Sequence, residues 1–264
     1  MSAVLESLEP ATEPLDDDNR TRKVPAVRRA VAMLRHLGRH PDGLPLSRIA
    51  RDLDVLPSTA LHILRELVVA RLVAYDADAR RYRLGSGVLT LARQLTRHDP
   101  FVQAAQPVLR QLSNAFDVGA SVQERDGEDM VVVAAASVLP GDRVSPGGRT
   151  PLFTSASGRL MAAFGGFDEA ELRRGFARVR WQEPPELEAW LAELRAVRRA
   201  GHATDDGRFR RGITAIAAPV AGAEGSVRRA ISITTISAQL DARTRRRITR
   251  AVQEAAATIE RALR

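Results

Sequence analysis

A proline between two short apolar-periodic stretches limits what residues 46–84 (LSRIARDLDVLPSTALHILRELVVARLVAYDADARRYRL) can fold into. Leu46, Ile49, Ala50 and Leu53 make the stripe of a short amphipathic helix. Asp54, Val55 and Leu56 break that stripe, and Pro57 restarts it. Proline suits the first helical position, where its missing N–H costs no intrahelical bond, and it keeps Leu56 outside the helix. In the second helix, expected over 57–70, Ala60, Ile63, Leu64 and Leu67 point to one side. Ser58, Thr59, His62, Arg65 and Glu66 point to the other. Two short helices in this order, the second with a small-polar and basic outer face, are the signature of a helix-turn-helix.

The next residues sharpen this reading. Residues 72–75 (LVAY) and 81–84 (RYRL) are strand-like, and 76–80 (DADAR) form a turn-rich tip. A hairpin directly after a recognition helix is a wing. Arg80, Arg81 and Arg83 on it are expected to hold DNA phosphates, while Ser58, Thr59 and His62 meet base edges. Arg48, Pro57 and Arg65 complete the expected DNA-contacting set.

Charge distribution supports a nucleic-acid partner. Residues 1–19 carry six acids and no base, 20–83 are net +8, and the longer remainder is net +6. The absence of cysteine excludes disulfides and thiolate metal ligands, and five scattered histidines argue against a catalytic metal. No cofactor is expected. No apolar run approaches a membrane span and the acidic start is no signal peptide, so a cytoplasmic protein without membrane contact is expected.

Residues 1–20 read as a disordered acidic tail, 21–84 as the winged domain, 85–99 as a linker helix and 100–264 as a second domain. A helix over 24–39 is expected to bury Val27, Ala30, Val31, Leu34 and Leu37, with His36 and His40 near its end, where the helix dipole favours them. After a helix over 101–116 the pattern turns mixed. Strands are expected at 119–124, 130–136, 202–204, 213–221 and 228–237. The second is apolar throughout and so reads as central. Residues 142–151 read as a Gly/Pro-rich loop. Thr154 or Ser155 caps a helix to Phe164, further helices span 167–177 and 185–200, and a long one closes the chain over 241–263.

Several stretches together carry a resemblance. AVRRAVAML from Ala26, LSRIA from Leu46, LPST from Leu56 and RYRLG from Arg81 resemble the opening domain of the IclR family of bacterial transcription regulators. GRTPLFTSASGRL from Gly148, GHATD from Gly201, GITAIAAPV from Gly212 and AISIT from Ala230 resemble its effector domain. The chain departs from the family pattern at Leu61-His62, often His-Arg, and at Phe153, Arg159, Arg208 and Ala215, where relatives often have His, Lys, Glu and Cys. The resemblance implies an α+β protein: an N-terminal winged helix-turn-helix joined by a linker helix to a GAF-like α/β effector-binding domain. It implies a sequence-specific repressor or activator that binds a double-stranded DNA operator as a homodimer or dimer of dimers.

Carried over by position, the resemblance implies an effector pocket lined by Thr150, Ala156, Ser157 and Asp205, with Ile213, Ala215, Ser232 and Thr234. The residues themselves agree in part. Ser232 and Thr234 alternate with Ile231 and Ile233, so the hydroxyls share one sheet face and the isoleucines the other. The helix beginning near Ser155 presents free N–H groups suited to an anion. The expected effector is a small organic carboxylate with an apolar body, its acid group near Ser155 and Asp205 facing the far end. Two alternatives stand beside this reading. One is a ligand-independent architectural DNA-binding protein. The other is a small-molecule hydrolase using Ser155, His202 and Asp205, although no nucleophile elbow is present.

Overall fold

A computed structural model describes residues 24–97, 99–137, 144–179, 181, 184–222 and 225–264. The expected acidic tail lies outside the described residues. The chain divides into two compact units, up to Gln94 and from Leu95 onward.

The first unit holds α1 (Pro25–Gly38), α2 (Leu46–Asp52), α3 (Pro57–Val69) and a hairpin of β1 (Val73–Asp76) and β2 (Arg81–Leu84). Met33, Leu37, Ile49, Leu64, Val73 and Tyr82 form its core. Leu44 exchanges two backbone hydrogen bonds with Tyr82 (2.9 and 2.8 Å), tying the segment before α2 to the wing. Pro57 opens α3 as expected, after a turn in which Asp54 takes a left-handed conformation. The face of α1 differs from expectation. Val27 and Val31 are 59% and 40% exposed, whereas Met33 is fully buried. The inward residues are Ala30, Met33, Leu34 and Leu37, an unbroken i, i+3, i+4, i+7 set in which a pliable Met replaces the valines.

The second unit follows α4 (Ser86–Arg97), a helix that carries the division between the units. Its sheet comprises β3 (Gly119–Asp126), β4 (Asp129–Ala136), β5 (Arg149–Pro151), β6 (Ala203–Asp206), β7 (Ile213–Ala221) and β8 (Val227–Ile236). The order is β5-β4-β3-β8-β7-β6, with every neighbouring pair antiparallel. On one face Val122, Ile216, Ile231 and Ile233 pack with α5 (Pro100–Phe116) and α9 (Ala242–Ala262). The other face carries small or polar residues and meets α6 (Ala156–Phe164). Behind it lie α7 (Glu169–Arg178) and α8 (Leu187–Ala200), around the fully buried Trp190. Small side chains on this face keep the sheet from being filled edge to edge. Space for a cavity follows from that choice.

Two expectations about strands are corrected. β4 is not central: β3 and β8 occupy the middle, and β4 lies beside the three-residue edge strand β5. The continuous apolar run of β4 has another cause. Val122 pairs with Ala134 and Gln123 with Val132, which leaves Val133 as a bulge. Before the bulge Met130 faces α6, and after it Ala134 faces α5 and α9. Strand β5 lies inside the expected loop, where Arg149 to Pro151 pair with Val131 to Asp129.

Candidate functional site

The winged unit presents its polar residues together. Pro57 sits at the first turn of α3, and Ser58, His62 and Arg65 are exposed along that helix, with Thr59 half-buried. Arg80, Arg81 and Arg83 are exposed on the wing, while Tyr82 between two of them turns inward and packs on Tyr75 with ring centroids 4.7 Å apart. Arg81 Nη1 donates to the Gly43 carbonyl (3.1 Å), so the wing arginine is braced by the loop before α2. Arg48 is also exposed, but its Nε donates to both Asp52 carboxylate oxygens (2.9 and 2.8 Å). That hydrogen bond is the first cause holding Asp52 below the usual carboxylate range. His36 Nε2 lies 3.2 Å from Asp52 Oδ2 without hydrogen-bond geometry. Asp52 was not anticipated as its neighbour, because α2 brings it back across the turn.

The second unit contains a cavity of about 220 Å³. Thr150, Ser157, Asp205 and Ile213 line it, as do Ala215, Ser232 and Thr234. Strand register explains how such distant segments meet. Asp205 on β6 opposes Ala215 on β7, which opposes Thr234 on β8. One rung away, Ala217, Ser232 and Ser121 form a second row. Ala156 alone of the expected set is not in the lining. At the first position of α6 it is fully buried in the helix-side core, while Ser155 and Ser157 on either side of it reach the cavity.

The polar floor is a continuous network. Ser157 Oγ donates to Gln123 Oε1 (2.5 Å), and Gln123 Nε2 donates to Ser232 Oγ (3.2 Å) and Ser121 Oγ (3.4 Å). Ser121 and Ser232 lie 3.1 Å apart, as do Ser155 and Ser157. Ser155 caps α6 by accepting the Gly158 amide (3.2 Å). Asp205 is almost wholly buried and accepts from Arg159 Nη2 (3.2 Å) and the Phe209 amide (3.2 Å). Burial pushes its carboxyl above the usual range, opposed by the Arg159 charge. Arg159 also donates to Glu193 (3.1 Å) and the Thr204 carbonyl (2.5 Å).

Gln123, Arg149, Phe209 and Arg210 also line the cavity and were not anticipated. Gln123 had one sequence signal, its alternation with Ser121 on β3, but only strand register sets it beside Ser232. The residues of the hydrolase alternative are hydrogen-bonded to other partners and not to one another. Ser155 bonds within α6 and Asp205 bonds Arg159 and Phe209, whereas His202 Nδ1 contacts the Ala200 carbonyl (3.2 Å). Among the described residues no three His, Cys, Asp or Glu side chains group as a metal site would need.

Residues 93–261 match the family profile described as bacterial transcriptional regulator IclR C-terminal, and residues 26–77 match the IclR helix-turn-helix domain. The chain belongs to the IclR family. It is accordingly a DNA-binding transcription regulator with a C-terminal effector domain. Among IclR relatives, the Pca regulon regulatory protein of Pseudomonas putida is 25% identical over 218 residues, covering 78% of this chain and 72% of that protein. The crystal structure of an IclR transcriptional regulator from Alicyclobacillus acidocaldarius superposes with a TM-score of 0.80 at 26% identity, covering 92% of this chain and all of that one. An IclR homologue from Microbacterium hydrocarbonoxydans, crystallised with 4-hydroxybenzoate, gives a TM-score of 0.78 at 21% identity over 90% of this chain and 98% of its own.

Proposed function

We propose that this IclR-family chain binds a discrete DNA operator as a homodimer or dimer of dimers, and that a small organic carboxylate in the sheet cavity controls that binding. Ser58, Thr59 and His62 read bases, while Arg80, Arg81 and Arg83 hold phosphates. One observation carries the effector reading: seven residues singled out from five separate segments line a single cavity. Its volume suits a ligand of one ring, since an apolar cavity of about 150 Å³ already takes benzene. The 4-hydroxybenzoate in the Microbacterium relative makes an organic acid the natural first class to test. Membership of a family of transcription regulators supports a protein that acts through binding. Among the described residues no helix is long and apolar enough to cross a membrane, which suits work in the cytoplasm.

Selection of bound sequences from random DNA tests the first half. It should return one palindromic site, whereas featureless coating would indicate an architectural DNA binder. Titration of aliphatic and aromatic acids against the labelled operator tests the second half. At least one acid should change operator affinity and raise the melting temperature of the protein. Responses confined to sugars, amines or metal ions would refute the carboxylate effector.

A further inference from the structure

The floor of the sheet cavity is closed to anything much larger than water. Ser157 and Ser232 line the cavity, yet each is only 2% exposed. A ring-sized ligand reaches them only where part of the wall gives way. Most of the wall is fixed. Strands β3, β7 and β8 each pair on both sides, and α6 is buried along its first eight residues. Segment 145–148 is held to β4 by backbone hydrogen bonds, from Gly147 to the Val132 carbonyl (2.8 Å) and from Val132 to the Gly148 carbonyl (2.9 Å).

The loop between β6 and β7, residues 207–212, is built differently. It brings Phe209 and Arg210 to the cavity wall, and none of its six residues is buried. Segments with so little buried surface open at the smallest cost in free energy. Gly207 and Gly212 stand at its two ends with φ of +82° and +76°, in the left-handed region. Lacking a Cβ, glycine moves between that region and the ordinary one without steric penalty, so both ends can turn. Polar contacts hold the loop down. Arg208 Nη1 donates to both carboxylate oxygens of Glu193 on α8 (2.8 and 2.9 Å), and the Phe209 amide donates to Asp205 Oδ2 (3.2 Å). The two acceptors are themselves joined. The buried Arg159 donates to Glu193 Oε2 (3.1 Å) and to Asp205 Oδ1 (3.2 Å). The loop thus rests on a fixed post made from α6, α8 and β6.

We propose that residues 207–212 are a gate over the sheet cavity, hinged at Gly207 and Gly212 and latched by Arg208 on Glu193. Turning at the two glycines carries Phe209 and Arg210 out of the wall together and uncovers the serine floor. The latch is a half-exposed ion pair, so it is weak and sensitive to salt, as a gate that opens for each ligand requires. Asp205 then serves the cavity as the inner catch of the gate, through the Phe209 amide. The proposal rests on the sheet cavity as the ligand site, but its test needs no effector, so the two readings fail separately.

The chain has no cysteine, so one introduced thiol reports on one place. Ser232→Cys in the full chain puts a thiol on the cavity floor, and its alkylation by iodoacetamide is followed by mass spectrometry. Val122→Cys, made separately, puts a thiol in the core against α5 and α9 and reports opening of the whole unit. Adding Arg208→Ala should speed alkylation of the Ser232→Cys thiol about two- to fivefold, the weight of one exposed ion pair. The Val122→Cys thiol should keep its slow rate. Arg208→Lys should restore most of the protection. Added salt should speed the Ser232→Cys reaction when Arg208 is present and leave it unchanged with Arg208→Ala. Thr234→Cys, half-buried in the same lining, gives the same readout should Ser232→Cys fail to fold. An unchanged rate with Arg208→Ala overturns the gate. An equal rise at Val122→Cys overturns it too, since the pair would then brace the whole unit. So does a floor thiol that reacts as fast as free cysteine with Arg208 in place, because the cavity would then stand permanently open.

Discussion

Asp205 and Asp206 are adjacent on β6, yet their surroundings push their carboxyls in opposite directions. Asp205 is raised, first by burial and against the pull of Arg159. Asp206 is lowered, first by its hydrogen bond from Arg245. A raised carboxyl contributes stability that is full below its unfolded value of about 4 and is lost as pH rises through the folded value. A lowered one contributes above that value and loses it as pH falls, although the half-exposed Asp206–Arg245 pair is screened and its share is small. Asp205→Asn should therefore gain melting temperature relative to the native chain as pH is raised from about 4 to 7. A difference that shrinks over that range would mean that the Arg159 pair outweighs burial. On the DNA-facing surface, Arg81→Ala should weaken all sequences alike and reduce the salt slope by about one. His62→Ala should instead change which operator bases matter, read by repeating the sequence selection on the variant. An unchanged preference would remove His62 from the reading set. At this scale the sequence shows the hydroxyls of Ser232 and Thr234 through simple alternation. It hides Arg210, because a loop arginine carries no periodic signal of what it faces.

Helices and strands with a clean period are legible in the sequence, and two misreadings, in α1 and β4, share one cause: tertiary structure that redirects a local pattern. In α1 the apolar residues are numerous enough to support two stripes, and packing against α3 and β2 selects the one containing Met33. In β4 the bulge at Val133 swaps faces midway, so alternation disappears from the sequence. In β5 three residues ending in Pro151 are too few to register as a strand. Elsewhere a single atom decides how two elements meet. A Cβ on Gly85 would collide with the Arg71 carbonyl oxygen at the junction of wing and linker helix, where the Gly85 amide donates to Leu72 and the Gly87 amide to Arg71. Gly85→Ala should cost about 1–3 kcal/mol through forced backbone shifts. Hydrogen exchange should show the loss in residues 24–94, while the sheet of the second unit keeps its protection.

For the whole molecule, exposed apolar surface is concentrated on particular helices. Val24, just ahead of α1, and Val27 and Val31 on it are exposed, as are Leu89, Leu91 and Leu95 on α4, a helix with no buried residue. Contiguous apolar faces of this kind mark association surfaces. The full chain should bind its operator far more tightly than segment 20–97, because two recognition helices joined in one assembly reach two half-sites. Equal affinities at one salt concentration, measured by fluorescence anisotropy, would refute this. Replacing Leu89 and Leu91 by Ser should shift the full chain toward monomer in sedimentation and lower operator affinity with it.

The sheet itself takes little part in such association. Its two outer strands are only three and four residues long, against ten in the central β8. A rim that short offers almost no backbone template for a strand from a neighbouring molecule, the route by which β-proteins grow into fibrils. The sheet can keep an open cavity on one face without becoming a seed for aggregation. Whatever association the molecule makes is thereby left to its side chains.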